Sequence, residues 1–137
     1  MFLLGLFLNA FPNFDFENLR YLGVLQRIAI AYLIGSLLCM HFNYKKLLLI
    51  FSSILIGYWG LLFIGASNAP CGLSTNLVRK VDILLFGENH LYNGFGIPFD
   101  PEGLLSSIPA VATLLLGYFS GRFIDLSEST LKAIKKL

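Results

Sequence analysis

Residues 47–66 carry no charge at all, and no other feature narrows the possible folds of this chain as far. Crossing a hydrocarbon core of about 30 Å takes roughly 20 residues of α-helix at about 1.5 Å each. Two further stretches meet that length. Residues 22–42 are apolar apart from Gln26, Arg27, Ser36 and His41, and residues 104–124 are apolar apart from Ser106, Ser107, Thr113, Ser120 and Arg122. A helix in a small water-soluble domain needs one apolar stripe; these are apolar on every face, as lipid requires. Only 13% of residues are charged and 56% are hydrophobic, with a mean hydropathy of +0.74. Soluble domains carry about 25% and about 45–50%. This excludes a disordered segment or a charge-rich coiled coil. The net charge of +2 is too small to imply nucleic acid as a partner. The expected fold class is therefore all-α: a polytopic integral membrane protein with three full spans, 22–42, 47–66 and 101–124, in one transmembrane region.

Residues 1–11 make about half a span. A helix that short cannot cross a bilayer, so it is expected to be the end of a transmembrane helix that begins elsewhere, the chain being a fragment of a larger membrane protein. A short interfacial anchor is the alternative. No Lys or Arg precedes the apolar run, unlike a signal peptide.

Most of the ten basic residues fall in the turn holding Lys45 and Lys46 and in the tail holding Arg122, Lys132, Lys135 and Lys136. Both segments lie on one side of the predicted spans, so that side is expected to be cytoplasmic. The loop 67–103 then faces outward. Within the outer loop 67–100, Ser74, Thr75 and Asn76 offer a cap for a short amphipathic helix over 76–86, whose Leu77, Val78, Val81, Leu84 and Leu85 keep helical spacing. Gly87 is a suitable stop. Residues 88–96 are rich in turn formers. Next, Asp100-Pro101-Glu102-Gly103 combines a cap, a first-position proline and an acidic first turn, which predicts that the third span starts at Pro101. Pro109 should then kink it about two turns in, with Ser106 helping to satisfy the freed groups.

Arg27 is the first candidate for chemistry. An intramembrane arginine pairs, lines a cavity or meets an anionic ligand; snorkelling to headgroups is the plain alternative. Gln26 beside it is a second polar group in want of a partner. The acidic residues Asp82, Glu88, Asp100 and Glu102, with His90, form the second candidate, able to do acid–base work or orient a polar substrate. Against this, Asp100 and Glu102 are already explained as helix-start residues, and Asp82 can pair with Arg79. His41 reads as an interface residue. No metal site is predicted: there is no His pair, Cys pair or HExxH arrangement. Gly94-Phe95-Gly96 lacks the Lys-Ser/Thr of a phosphate loop. Cys39 and Cys71 are expected on different sides of the bilayer, without a disulfide and without a neighbouring base. Gly35, Gly57 and Gly60 permit close helix approach, and Gly117 and Gly121 form a GxxxG packing face.

Four segments together resemble the heparan-alpha-glucosaminide N-acetyltransferase family, including its bacterial relatives. They are Leu22-Gly23-Val24-Leu25-Gln26-Arg27-Ile28-Ala29, Val81-Asp82-Ile83-Leu84-Leu85-Phe86-Gly87, His90-Leu91-Tyr92 and Phe99-Asp100-Pro101-Glu102-Gly103-Leu104-Leu105-Ser106. The resemblance implies a polytopic enzyme of a bacterial inner membrane that moves acetyl from cytoplasmic acetyl-CoA, its co-substrate, to an amino sugar or glycan on the other side. It places Gln26, Arg27, Asp100 and Glu102 near the substrate cavity; His90, from the acidic loop, is a further substrate-binding candidate. The family's histidine motif has no counterpart here, so no catalytic residue is assigned. Implied partners are the lipid bilayer, the remaining helices of the longer protein and a small sugar, with a homo-oligomer as an open alternative. A sugar transporter or permease is the second functional reading, and a stand-alone structural membrane protein the third.

Overall fold

The computed structural model describes residues 1–65, 72, 75–94 and 96–134, with side chains up to residue 127. Cys71, Ser74, Phe95, Lys135 and Lys136, and the side chain of Lys132, lie outside the described residues. The elements run α1 (Phe2–Ala10), α2 (Val24–His41), α3 (Tyr44–Gly65), α4 (Leu77–Phe86), a 3-10 turn (Glu88–His90) and α5 (Ser107–Ile134). The fold is all-α, with no strand among the described residues. Among the described residues, α2, α3 and α5 are the three helices long and apolar enough to cross a membrane. Their outward faces are richly apolar, with Ile64 at 90% exposure and Ile56 and Leu49 close to 70%. In water such faces would be costly, and in hydrocarbon they are solvated.

α5 lies between α2 and α3, α1 packs along α2, and α4 lies against α3. Close approach of α2 and α5 depends on Gly35, where a Cβ would overlap the Leu114 side chain. At the end that carries Lys45 and Lys46, buried Leu47, Leu115 and Phe119 form an apolar core with Leu38, Cys39, Ile50 and Phe51 around it. Phe119 meets Tyr44 and Phe51 edge-on at 5.3 and 5.8 Å, and the Arg122 guanidinium lies 5.1 Å over the Tyr44 ring.

Three boundaries differ from expectation or refine it. α3 starts at Tyr44 rather than Leu47 because the Asn43 side chain accepts the Lys46 amide at 3.2 Å and caps the helix. α4 follows the predicted pattern, with Asn76 capping it through the Arg79 amide at 2.8 Å and Gly87 leaving it at φ 77°. α5 begins at Ser107, not at Pro101. In a helix from Pro101, the Leu104 amide would donate to the Asp100 carbonyl. Instead it donates to the Asp82 carboxylate at 3.0 Å, and the Asp100 carbonyl takes the Gly103 amide at 3.1 Å. The segment from Pro101 to Ser106 therefore turns as a corner. Ser106 Oγ serves this corner, donating to the carbonyls of Pro101 and Gly103. Pro109 falls in the first turn of α5, where amides have no acceptor in the helix, so the reason for a kink disappears.

The glycine expectation needs correction as well. Around Gly117, Gly121, Gly57 and Gly60 an added Cβ would meet nothing within 4 Å. The GxxxG face of α5 is therefore open among the described residues, and close helix approach occurs at Gly35 instead.

Candidate functional site

The end of the bundle opposite the lysines is polar, and its hub is Arg20, in the segment joining α1 to α2. Arg20 Nε donates to Asp100 Oδ2 at 2.8 Å and Nη2 to Asp100 Oδ1 at 2.6 Å, a two-pronged pairing, while Nη2 also donates to Glu102. The Tyr92 ring lies beneath the guanidinium at 5.0 Å. Asp100 is fully buried, and hydrogen bonding to it, opposed by partial burial, raises the Arg20 pKa above its ordinary value. The two-pronged geometry suits arginine, whose planar fork matches a carboxylate.

The backbone around Arg20 is held from two more sides. Asn9 on α1 donates to the Arg20 carbonyl at 2.9 Å, and His90 Nδ1 donates to the Leu19 carbonyl at 2.7 Å while stacking on Tyr21 at 4.2 Å. Asp15, the nearest acid in sequence, accepts instead from Asn18 and from the Glu17 amide. The Asn18 side chain, chiefly, lowers its pKa.

Asp82 is also fully buried, on α4. It faces the Gly103 corner, not Arg79, whose Nε donates to the Pro98 carbonyl at 2.8 Å. The expected Asp82–Arg79 pair is therefore replaced by a carboxylate–amide contact with Leu104. Gly103 packs so closely on the carboxylate that any Cβ would overlap it. Asp82 Oδ2 has no hydrogen-bond partner among the described residues. Burial pushes the Asp82 pKa up to about 6, the Leu104 amide works against this, and the nearby Asp100 charge adds to it.

Successive residues on a helix point about 100° apart, and this separates Gln26 from Arg27. Gln26 is buried against α1, where a Cβ on Gly5 would lie 2.5 Å from its Oε1, and its Nε2 has no hydrogen-bond partner among the described residues. Arg27 turns instead into a cavity of about 480 Å³ between α2 and α5. Ile28, Ala31 and Leu114 give this cavity an apolar wall, and Thr113 and Glu102 stand on its α5 side. Ligand pockets commonly hold about 300–1,000 Å³ behind mostly apolar walls with a few polar groups.

Of the five predicted residues, Arg27 and Glu102 meet at the cavity, and Asp100 joins them through Arg20. Gln26 and His90 do not: one packs α1 on α2, the other ties two loops. Asp100 and Glu102 do not start a helix; their carboxylates are taken by Arg20. The hub itself, Arg20 with Tyr92, is what sequence reasoning missed. The available signal was slight, a lone basic residue in an acidic segment. Among the described residues no group of three or more His, Cys, Asp or Glu is arranged to hold a metal. Comparison of the chain with known protein families, with curated proteins and with solved structures returns no match.

Proposed function

We propose that this integral membrane chain supplies the acceptor pocket of an acyltransferase that moves acetyl from acetyl-CoA to an amino sugar or related glycan. The observation that carries the reading is the cavity between α2 and α5. Its volume suits a sugar-sized group, and it sets a guanidinium and a carboxylate against apolar walls. Arg27 would orient an anionic or hydroxyl group, and Glu102 a hydroxyl or the amine. Arg20 and Asp100 hold Glu102 at the pocket. In this reading the polar end faces outward from a bacterial inner membrane and the Lys45–Lys46 turn faces the cytoplasm, in keeping with the distribution of basic residues.

A sugar carrier is the second reading, and the positions of the two histidines favour it. His90 is bonded to Leu19, and His41 to the Leu37 carbonyl at 2.9 Å near the lysines. Neither lines the pocket, so neither stands ready to take a proton from an amine there. Labelled acetyl-CoA supplied to the protein in vesicles, with glucosamine on the opposite side, separates the two. Acetylated sugar supports the transferase; uptake of unmodified sugar supports the carrier.

A further inference from the structure

The pocket between α2 and α5 opens sideways. Val24, Ile28 and Tyr32 lie four residues apart on α2, line the cavity, and are 57%, 45% and 67% exposed. These three side chains therefore form a continuous apolar stripe from the cavity to the lipid-facing surface of the bundle. Arg27 is half-buried within the same cavity. Among the described residues no carboxylate is ion-paired with it, because Glu102, which shares the cavity, is taken by Arg20. An arginine at membrane depth is costly unless an anion or water meets it. The site thus combines an unmatched positive charge, a carboxylate at its polar rim and an apolar track leading to the bilayer.

We infer that the occupant of this pocket is a membrane amphiphile with an anionic phosphate headgroup. Its phosphate sits on the Arg27 guanidinium, its hydroxyl or amino substituent turns towards Glu102, and its hydrocarbon follows the Val24–Ile28–Tyr32 stripe. Naming a lipid-linked acceptor in this way rests on the acyltransferase reading, whereas binding of the phospholipid itself stands without it. Charge complementarity argues for a phosphate ester over a neutral glycolipid, and the lateral opening argues for a lipid over a soluble sugar phosphate.

The test uses the full chain in detergent, with lipid retention read by native mass spectrometry. Phosphatidylglycerol is compared with phosphatidylcholine, and inorganic phosphate and glucosamine 6-phosphate serve as soluble competitors. The expected result is one phosphatidylglycerol held about tenfold more tightly than phosphatidylcholine. Arg27→Gln should abolish that preference, Arg27→Lys should keep part of it, and Lys45→Gln, at the far end, should leave it intact. Thr113→Phe fills the cavity from an exposed rim position and should expel the lipid with helicity unchanged, which keeps the test decisive if Arg27→Gln does not fold. Equal retention of both lipids, or a preference that survives both Arg27→Gln and Thr113→Phe, overturns the inference. So does displacement of phosphatidylglycerol by an equal concentration of either soluble phosphate. Acetylation of soluble glucosamine by a chain that retains no phosphatidylglycerol overturns the lipid site and spares the transferase. Retention without any acetyl transfer does the reverse.

Discussion

The two ends of this bundle are held together by different means. At the lysine end, Leu47, Leu115 and Phe119 interlock α3 with α5 through shape alone. At the opposite end, Arg20, Asp100, Glu102 and Asp82 join segments that are 80 or more residues apart, or 22 apart, through charges and amides. Hydrocarbon gives apolar helix faces no solvent-driven reason to prefer one another, so close packing must select partners there. Where the chain emerges into loops, directional polar bonds fix the geometry, and a buried charge there makes loss of its partner severe. The apolar end thus divides its hold among several side chains, whereas the polar end and the shape of the pocket depend on one corner.

The largest effect is expected at the hub. Arg20→Met leaves the fully buried Asp100 without its cation and should cost about 3–5 kcal/mol, read as a lowered melting temperature in detergent. A change no greater than that of an exposed lysine would break the contrast between the ends. Next comes acidity. The folded-state pKa of Asp82, about 6, lies above its ordinary 3.8, so folding favours the protonated form. Stability should therefore rise as pH falls from about 6 towards 4, by on the order of 3 kcal/mol, and the penalty is fully present above pH 6. Asp82→Asn should flatten this slope across a series of melts.

At the apolar end, Leu115→Ala should cost about 2–3 kcal/mol, mostly in lost packing contacts. It should leave lipid retention by the distant pocket unchanged, and altered retention would show the two ends to be coupled. Gly103→Ala forces a methyl group onto the Asp82 carboxylate and should cost about 1–3 kcal/mol, with the larger effect on ligand binding because Glu102 shifts with the corner. The smallest loss of stability is expected for Arg27→Ala, which removes an unmatched charge at membrane depth and should leave the melting temperature unchanged or slightly raised, alongside a clear loss of activity. Wild-type activity with normal expression would remove Arg27 from the site.

The spans and α4 were legible in the sequence because their signals are local: an uncharged run, apolar residues at helical spacing, an Asn before the helix and a Gly after it. The start of α5 was not. Asp100-Pro101-Glu102-Gly103 has every local mark of a helix start, and a carboxylate from α4 takes the amide that would continue it. The site was half legible for the same reason. Arg27 and Glu102 stand out by type and position, whereas nothing near Arg20 in the sequence announces Asp100. Adjacent placement made Gln26 and Arg27 look like one feature, and the helical turn sends them to different neighbours.

At 28 residues α5 is about 42 Å long, some 12 Å more than a typical hydrocarbon slab is thick. It is a rod whose first turn is fixed to the corner holding Glu102 and whose length exceeds that thickness. A lean of about 20°, ordinary for a membrane helix, displaces one tip by about 14 Å relative to the other. A change in the lean of this one helix therefore carries Thr113 and Leu114, on the pocket wall, with it.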